Sequence, residues 1–91
     1  MLIMNIYAQK KPPAHPGVIL AEKFIEPMHI SRYELTKTLG WSYDKLQKLI
    51  NGESRITVDK AMQLAEALDV APDLWIFWQK KWDAWHYISN P

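Results

Sequence analysis

The sequence SRYELTKTLGWSYDKLQKLINGESRI, residues 31–56, contains the pattern that decides the fold. Ser31 followed three residues later by Glu34 is a helix-start signature, in which the two residues cap each other's backbone N–H groups. Gly40 predicts the end of this helix, because glycine adopts the left-handed conformation without a steric penalty. Ser42 predicts the start of a second helix. Two short helices joined by a tight turn are typical of a helix-turn-helix.

Apolar side chains recur in both helices at the spacing of a single helical face. We expect this face to be buried against the rest of the domain. The apolar positions are Leu35 and Leu39 in the first helix and Leu46, Leu49 and Ile50 in the second. Asn51-Gly52 then predicts the end of the second helix, since both residues are suited to positive φ.

The second helix has polar side chains on its remaining face. A recognition helix presents such side chains to base edges from its N-terminal turns. Glutamine can bond adenine through two atoms, and lysine can reach guanine acceptors or a phosphate. The other interpretation is a solvated surface helix, which needs no ligand. Asp44 could accept from cytosine, but we favour a helix-stabilising role near the N-terminus. The candidate base contacts are Tyr43, Asp44, Lys45, Gln47 and Lys48.

The composition excludes several classes of protein. The 91 residues suffice for one domain with a modest core, and nearly half of them are apolar, unlike a disordered tail. The chain has no cysteine, which excludes disulfides, thiolate metal sites and a cysteine nucleophile. His15, His29 and His86 have no metal-ligand spacing and belong to no catalytic set. We therefore expect no catalytic residues, no metal, no cofactor and no enzyme activity.

The chain also lacks the signals of a membrane or secreted protein. No apolar run approaches the roughly 20 residues of a membrane span. The first six residues, MLIMNI, lack a basic region and are too short for a signal peptide. We expect a cytoplasmic protein without a membrane partner.

Charge is distributed unevenly although the net charge is only +1. Residues 31–57 contain five Lys and Arg against three Asp and Glu, whereas residues 58–91 contain three against five. This asymmetry is typical of a chain that offers one face to phosphates and the other to a protein. Because the basic field is weak, we expect a dimer that doubles the phosphate contacts.

The remaining segments predict an all-α domain of five helices. Residues 1–14 form an N-terminal arm, in which Pro12-Pro13 favours an extended conformation. His15-Pro16-Gly17 predicts the start of the first helix, and Pro27 predicts its end. Thr57 is a favourable N-cap for a fourth helix. A last helix is expected from Pro72 to His86 or Tyr87.

The last predicted helix has a tryptophan stripe at the spacing i, i+3, i+7 and i+10, formed by Trp75, Trp78, Trp82 and Trp85. Core packing is the favoured interpretation for Trp75 and Trp78. An interface is favoured for Trp82 and Trp85, because so small a domain cannot cover this much aromatic surface alone. The candidate dimer contacts are Trp78, Trp82 and Trp85.

Several segments together resemble one known family. They are PPAHPGVIL at 12–20, LTKTLGWS at 35–42, KLINGESRIT at 48–57 and AMQLAEALDVAPDLWIFWQKKWDAW at 61–85. The chain is similar in these segments to HigA/VapI-type antitoxins, a branch of the phage-repressor-like (XRE) helix-turn-helix superfamily. Trp41 departs from the pattern, which has a small aliphatic residue after the turn glycine.

The resemblance implies a lambda-repressor-like domain at 15–91, with the motif at 31–51 and a dimerisation or packing helix at 72–87. It implies an antitoxin that binds operator DNA as a dimer, represses its own operon and neutralises a RelE-like endoribonuclease toxin. The alternative is a solitary repressor without a toxin partner. Ser42 joins the base contacts through this resemblance. The implied phosphate contacts are Ser31, Arg32, Asn51, Ser54 and Arg55.

Overall fold

The computed structural model describes residues 12–89 of the chain, with side chains described for residues 12–87. Five helices in this range confirm the expected all-α architecture. They are α1 (Pro16–Leu20, continued by a π-helical segment, Ala21–Ile25), α2 (Arg32–Leu39), α3 (Tyr43–Ile50), α4 (Val58–Leu68) and α5 (Pro72–Ser89). Most of the predicted N-terminal arm lies outside the described residues.

The predicted helix starts are confirmed by their side-chain caps. Ser31, Ser42 and Thr57 each accept a hydrogen bond from the backbone N–H three residues later, at 3.2, 3.1 and 3.2 Å. Each such cap contributes about 1 kcal/mol by satisfying an amide that the helix leaves unpaired. These caps set the first residues of α2, α3 and α4 and therefore the direction from which the chain enters each helix.

The predicted helix ends are confirmed. Gly40 ends α2 in the left-handed conformation at φ +72°. Helix α3 ends at Asn51-Gly52 as expected, with Asn51 as its C-cap at φ −78°. Gly52 alone makes the left-handed turn, at φ +77°. One left-handed residue suffices to end a helix, and glycine takes it at lower cost than asparagine.

The first helix differs from a regular α-helix over its second half. Between Ala21 and Ile25 the backbone bonds five residues apart, as in the bond from Glu26 N–H to the Ala21 carbonyl at 2.9 Å. The apolar spacing of the sequence predicted one helix here and contained no sign of the wider turn. A π-helical segment inserts extra chain into a helix, and here it ends at the expected break before Pro27.

The helices pack closely around a core of fully buried side chains. Leu20 of α1, Leu46 and Leu49 of α3, Leu64 of α4 and Trp75 of α5 are fully buried. A Cβ atom at Gly17 would lie 1.6 Å from the carbonyl oxygen of Leu49, so only glycine allows α1 to approach α3 this closely. Helix α3, which carries the candidate base contacts, therefore packs closely against α1 on its buried side. No helix among residues 12–89 has the length and apolar character needed to span a membrane.

Candidate nucleic-acid interface

Helix α3 separates its apolar and polar side chains completely. Leu46, Leu49 and Ile50 are buried, as the sequence predicted. Five of the six candidate base contacts are exposed and Gln47 is half-buried; the exposed ones are the N-cap Ser42 and, on the other face of the helix, Tyr43, Asp44, Lys45 and Lys48. Since the buried face fixes the rotation of the helix, the polar face is presented to solvent as one surface. We call this surface, with the first turn of α2, the recognition face.

The N-terminal turn of α3 is stabilised by local bonds. The Ser42 hydroxyl oxygen accepts from the backbone N–H of Lys45, which makes Ser42 an N-cap. Asp44 forms an ion pair of 3.3 Å with Lys48 one turn later, and both side chains are mostly exposed. An exposed pair of this kind contributes at most about 0.5 kcal/mol. The pair can therefore open at little cost when a ligand competes for Lys48.

Trp41 gives the recognition face a rigid neighbour. Its indole is 7% exposed, and its Nε1–H donates a 2.8 Å hydrogen bond to Oε1 of Gln63 on α4. The ammonium of Lys45 lies 4.8 Å from the centre of the Trp41 ring, within cation–π range. The substitution of tryptophan for a small aliphatic residue thus adds core packing, a bond between α4 and the turn, and a platform under Lys45.

One direct bond joins the two helices of the motif. Nη1 of Arg32, the first residue of α2, donates to Oε1 of Gln47 on α3 at 2.8 Å. The sequence assigned Arg32 to a phosphate and Gln47 to a base, and it contained no indication that they touch. The structure therefore brings together two candidate site residues that lie 15 positions apart in the chain.

The loop between α3 and α4 is tied to α5 rather than to the recognition face. Arg55 donates through both terminal nitrogens to the Asp83 carboxylate, at 2.7 and 3.2 Å. This hydrogen bond raises the pKa of Arg55 and lowers the pKa of Asp83 from their ordinary values. Nζ of Lys60 donates to the Arg55 carbonyl oxygen at 3.0 Å and to the Ser54 hydroxyl at 3.4 Å. Arg55 thus has a protein partner that the sequence did not predict.

Gln79 holds the same loop from inside the domain. It is only 4% exposed, and its Oε1 accepts a 2.7 Å hydrogen bond from the backbone N–H of Ile56. Its Nε2 donates to Oδ1 of Asp83 at 3.0 Å. One buried amide therefore pairs a loop N–H with a helix carboxylate, and that carboxylate in turn holds Arg55. We call this set of residues, Arg55, Ile56, Gln79 and Asp83, the loop junction.

His15 and Trp82 close the junction towards α1. The backbone N–H of Gly17 donates to Nδ1 of His15 at 2.9 Å, so the histidine caps α1. Its ring meets the Trp82 ring edge to face at 5.1 Å. Burial lowers the pKa of His15, against opposing effects of the Ser54 backbone and Asp83. The cap requires an unprotonated Nδ1, which agrees with this direction.

The tryptophan stripe is divided between the core and a half-buried surface. Trp75 is fully buried and packs against Trp78 at 5.1 Å and Phe24 at 5.3 Å, measured between ring centres. Trp78, Trp82 and Trp85 are half-buried. Among the described residues, Trp85 has no aromatic ring contact, whereas Trp82 lies between His15 and the ring of His86. Core packing of Trp75 is confirmed, and the dimer contacts remain predictions.

Comparisons with known proteins connect this geometry to a family. The family model described as helix-turn-helix matches residues 22–75. The antitoxin HigA-1 of Vibrio cholerae is 34% identical over 76 residues, which cover 84% of this chain and 71% of that relative. The chain belongs to the HigA-type helix-turn-helix family. The family resemblance expected from the sequence is thereby confirmed.

Two further proteins are similar to this HigA-type chain. An uncharacterised HTH-type transcriptional regulator of Haemophilus influenzae is 32% identical over 80 residues, or 88% of this chain and 75% of the relative. The solved structure of the Pseudomonas aeruginosa antitoxin HigA with the higBA promoter has a TM-score of 0.78 and 28% identity. It covers 86% of this chain and 86% of that one. The similarity supports the five-helix arrangement from an independent structure.

Sequence reasoning missed the polar residues that hold this HigA-type domain together behind its recognition face. Gln79, Asp83 and Gln63 were assigned no role. For Gln79 a signal existed, because it follows Trp75 by four positions and so shares the buried face of α5. A polar residue on such a face is buried only when its bonds are satisfied. For Asp83 and Gln63 no local pattern marks the partner, because Arg55 and Trp41 lie 28 and 22 residues away.

Proposed function

We propose that this protein is an antitoxin that binds operator DNA as a dimer and represses its own operon. The observation that carries the proposal is the recognition face, where α3 exposes Tyr43, Asp44, Lys45 and Lys48 while its apolar side chains are buried. A short helix held from behind, with polar side chains directed outwards, has the form that enters a major groove. The Pseudomonas relative, whose structure includes a promoter, supports the same assignment.

The proposed base and phosphate contacts are those predicted from the sequence and from the family resemblance. Tyr43, Lys45, Gln47 and Lys48 are the base-reading residues of the proposal, with Ser42 and Asp44 at the helix start. Asp44 is the least suited to DNA, since a carboxylate repels phosphates and already pairs with Lys48. The proposed phosphate contacts are Ser31, Arg32, Asn51, Ser54 and Arg55. Arg55 can serve a phosphate only by sharing or leaving Asp83.

A two-fold dimer would present two recognition helices to successive major grooves, about 34 Å apart. The half-buried rings of Trp78, Trp82 and Trp85 support α5 as the dimer surface, because exposed aromatic area favours association. Trp85→Ala is the cleanest variant, since this ring has no aromatic contact among the described residues. Analytical ultracentrifugation should show a dimer for the wild type and a monomer for Trp85→Ala. A dimer of unchanged affinity would remove Trp85 from the interface.

Toxin neutralisation is the second half of the proposal. The name of the Vibrio relative, antitoxin HigA-1, supports it. So does the acidic excess of residues 58–91, because RelE-like toxins are expected to be basic and opposite charges speed association. Exposed Glu66, Asp69 and Asp73 lie at or near the α4–α5 connection. The competing proposal, a solitary repressor, is favoured by the description of the Haemophilus relative as a transcriptional regulator.

Operator binding is tested by fluorescence anisotropy of a duplex from upstream of the protein's own gene. A scrambled duplex of equal length is the reference, and both are titrated at several salt concentrations. We expect about a hundredfold or greater preference for the operator, since specific sites commonly exceed random DNA by more than this. The double variant Lys45→Ala/Gln47→Ala should lose this preference. Equal, salt-sensitive binding of both duplexes would overturn the repressor proposal.

The toxin half is tested separately by co-expression. A gene for a small basic protein beside this one would be expressed with and without the antitoxin, and growth and messenger RNA cleavage would be measured. We expect growth arrest alone and recovery with the antitoxin. If the operator is bound but no neighbouring protein arrests growth, the solitary repressor is the correct alternative.

A further inference from the structure

Within the described residues, the hydrogen bond between Arg32 and Gln47 is the one direct side-chain bridge between α2 and α3 on the recognition face. Arg32 is the first residue of α2, and its Nη1 reaches Oε1 of Gln47 at 2.8 Å. Both side chains are half-buried, whereas the neighbouring polar residues of α3 are exposed. The bridge therefore lies at the base of the recognition face, where the two helices meet.

The chemistry of the two groups determines the orientation of the amide. A guanidinium carries five N–H donors and no acceptor, so the amide atom that faces Arg32 must be the carbonyl oxygen. The Gln47 amide nitrogen, with two N–H donors, is then turned away from Arg32. Among the described residues, no other hydrogen bond involves this amide. Gln47 thus reaches a ligand with its donors free and its acceptor already engaged.

We propose that Arg32 is a positioning residue for base readout, which holds the Gln47 amide so that its N–H donors face the major groove. The proposal rests on the proposed operator binding and narrows it. An unrestrained glutamine can pair with adenine through both amide atoms. With its carbonyl held by Arg32, Gln47 instead selects bases that present acceptors, such as O6 and N7 of guanine or O4 of thymine.

A phosphate contact alone would make Arg32 behave differently. Removing a phosphate contact weakens binding to every sequence alike and lowers the salt dependence by about one unit of slope. Removing a positioning residue frees the glutamine amide to rotate, so that discrimination at one base pair is lost. The two roles therefore separate in the pattern of affinities over operator variants, and not in the affinity for a single duplex.

Two variants distinguish these roles. Arg32→Ala removes both the charge and the bond. Gln47→Glu keeps an acceptor for Arg32 but removes the donors offered to bases. Lys23→Ala is the matched control, because Lys23 is an exposed cation on the π-helical segment, outside the recognition face.

Affinity would be measured by anisotropy against a set of operator duplexes in which each base pair is replaced in turn. We expect Arg32→Ala to reduce discrimination at one base pair about five- to tenfold, in line with the loss of one oriented base contact. Gln47→Glu should lose discrimination at the same base pair, and Lys23→Ala should leave the whole pattern unchanged.

The positioning role of Arg32 can be tested without DNA, and therefore independently of operator binding. In the free protein, 15N relaxation of the Gln47 side-chain NH2 group reports whether the amide is held. We expect restricted motion in the wild type and fast motion in Arg32→Ala. Circular dichroism would confirm that each variant is folded. If the wild-type amide is as mobile as in Arg32→Ala, the positioning role is overturned even when operator binding is normal.

The DNA outcomes are equally decisive. Arg32→Ala could instead weaken binding to all duplexes equally, with a lower salt slope and unchanged base preference. That result would show that Arg32 is only a phosphate contact. A wild type without operator preference would overturn the proposed function, and the base-reading role with it, whatever the relaxation data show.

Discussion

The recognition face and the loop junction are stabilised by contacts of opposite kinds. On the recognition face most polar side chains of α3 are exposed, and Asp44 pairs with Lys48 across one turn. In the loop junction the polar groups are held across long sequence separations, as Gln79 holds the backbone of Ile56. The recognition face is accessible to a ligand, whereas the loop junction holds the loop after α3 against α5.

This difference separates binding from stability. Exposed pairs contribute little to the free energy of unfolding because water competes for both partners. A buried amide that loses its partner costs much more, because no water replaces the bond. Substitutions on the recognition face should therefore change DNA affinity with little effect on the free energy of unfolding. Substitutions in the buried contacts that support it should lower the free energy of unfolding instead. Four predictions follow from this contrast, in order of their expected effect on stability.

The largest effect is expected where α1 supports α3. Gly17→Ala would place Cβ 1.6 Å from the Leu49 carbonyl oxygen, so the two helices must separate. We expect the free energy of unfolding to fall by about 3 kcal/mol or more. Chemical denaturation followed by circular dichroism measures this loss. Gly40→Ala is the control: no atom lies within 4 Å of its Cβ, so only positive-φ strain of about 1–2 kcal/mol is expected. Equal losses would contradict the close approach.

The loop junction should give the next largest effect. Gln79→Leu leaves the Ile56 N–H without its acceptor inside the protein, and we expect a loss of about 1–3 kcal/mol. Gln63→Leu removes the part-buried bond from Trp41 and, because Gln63 itself is exposed, should cost about 1 kcal/mol or less. Thermal unfolding of both variants checks the order. A smaller loss for Gln79→Leu than for Gln63→Leu would show that the junction does not stabilise the loop.

His15 should make stability depend on pH. Burial lowers its pKa below the ordinary value of 6.5, so the unfolded chain binds the proton more readily than the folded one. Stability is therefore full above pH 6.5 and is lost as the pH falls from there through the lowered folded pKa. His15→Asn keeps a side-chain acceptor for the Gly17 N–H and removes the titration. Unfolding curves at pH 7 and pH 5 should diverge less for this variant, and an undiminished pH effect would assign it to another group.

The smallest effect on stability is expected on the recognition face. Lys48→Ala breaks the exposed pair with Asp44 and should cost at most about 0.5 kcal/mol. Operator affinity should nevertheless fall, with a shallower salt dependence, because a cation beside the DNA is lost. Lys23→Ala removes the same charge elsewhere and should change neither quantity. A large stability loss for Lys48→Ala, without a change in operator affinity, would show that the recognition face stabilises the fold and does not bind the operator.

Much of the fold was predictable because its signals are local. The caps at Ser31, Ser42 and Thr57, the turn at Gly40 and the buried face of α3 all depend on residues within one or two turns of each other. Local rules of propensity and periodicity therefore suffice for them. The π-helical segment escaped prediction, since its wider turn satisfies the same apolar positions as a regular helix.

The candidate site was predictable in its members but not in its connections. The sequence placed Arg32 and Gln47 in a DNA-binding motif and gave each a separate ligand, whereas the folded chain bonds them to each other. Arg55 was assigned to DNA and is found paired with Asp83. Both partnerships depend on how helices cross, and side-chain type alone carries no information about that geometry.

The sequence by itself determined the five helices, their caps and the polar face of α3, because short-range sterics and hydrogen bonding decide these features. Tertiary structure alone decided that Gly17 seats α1 on α3, that Gln79 and Asp83 hold the loop, and that Arg32 orients Gln47. These contacts join residues far apart in the chain, and their free energy exists only once packing has brought the helices together.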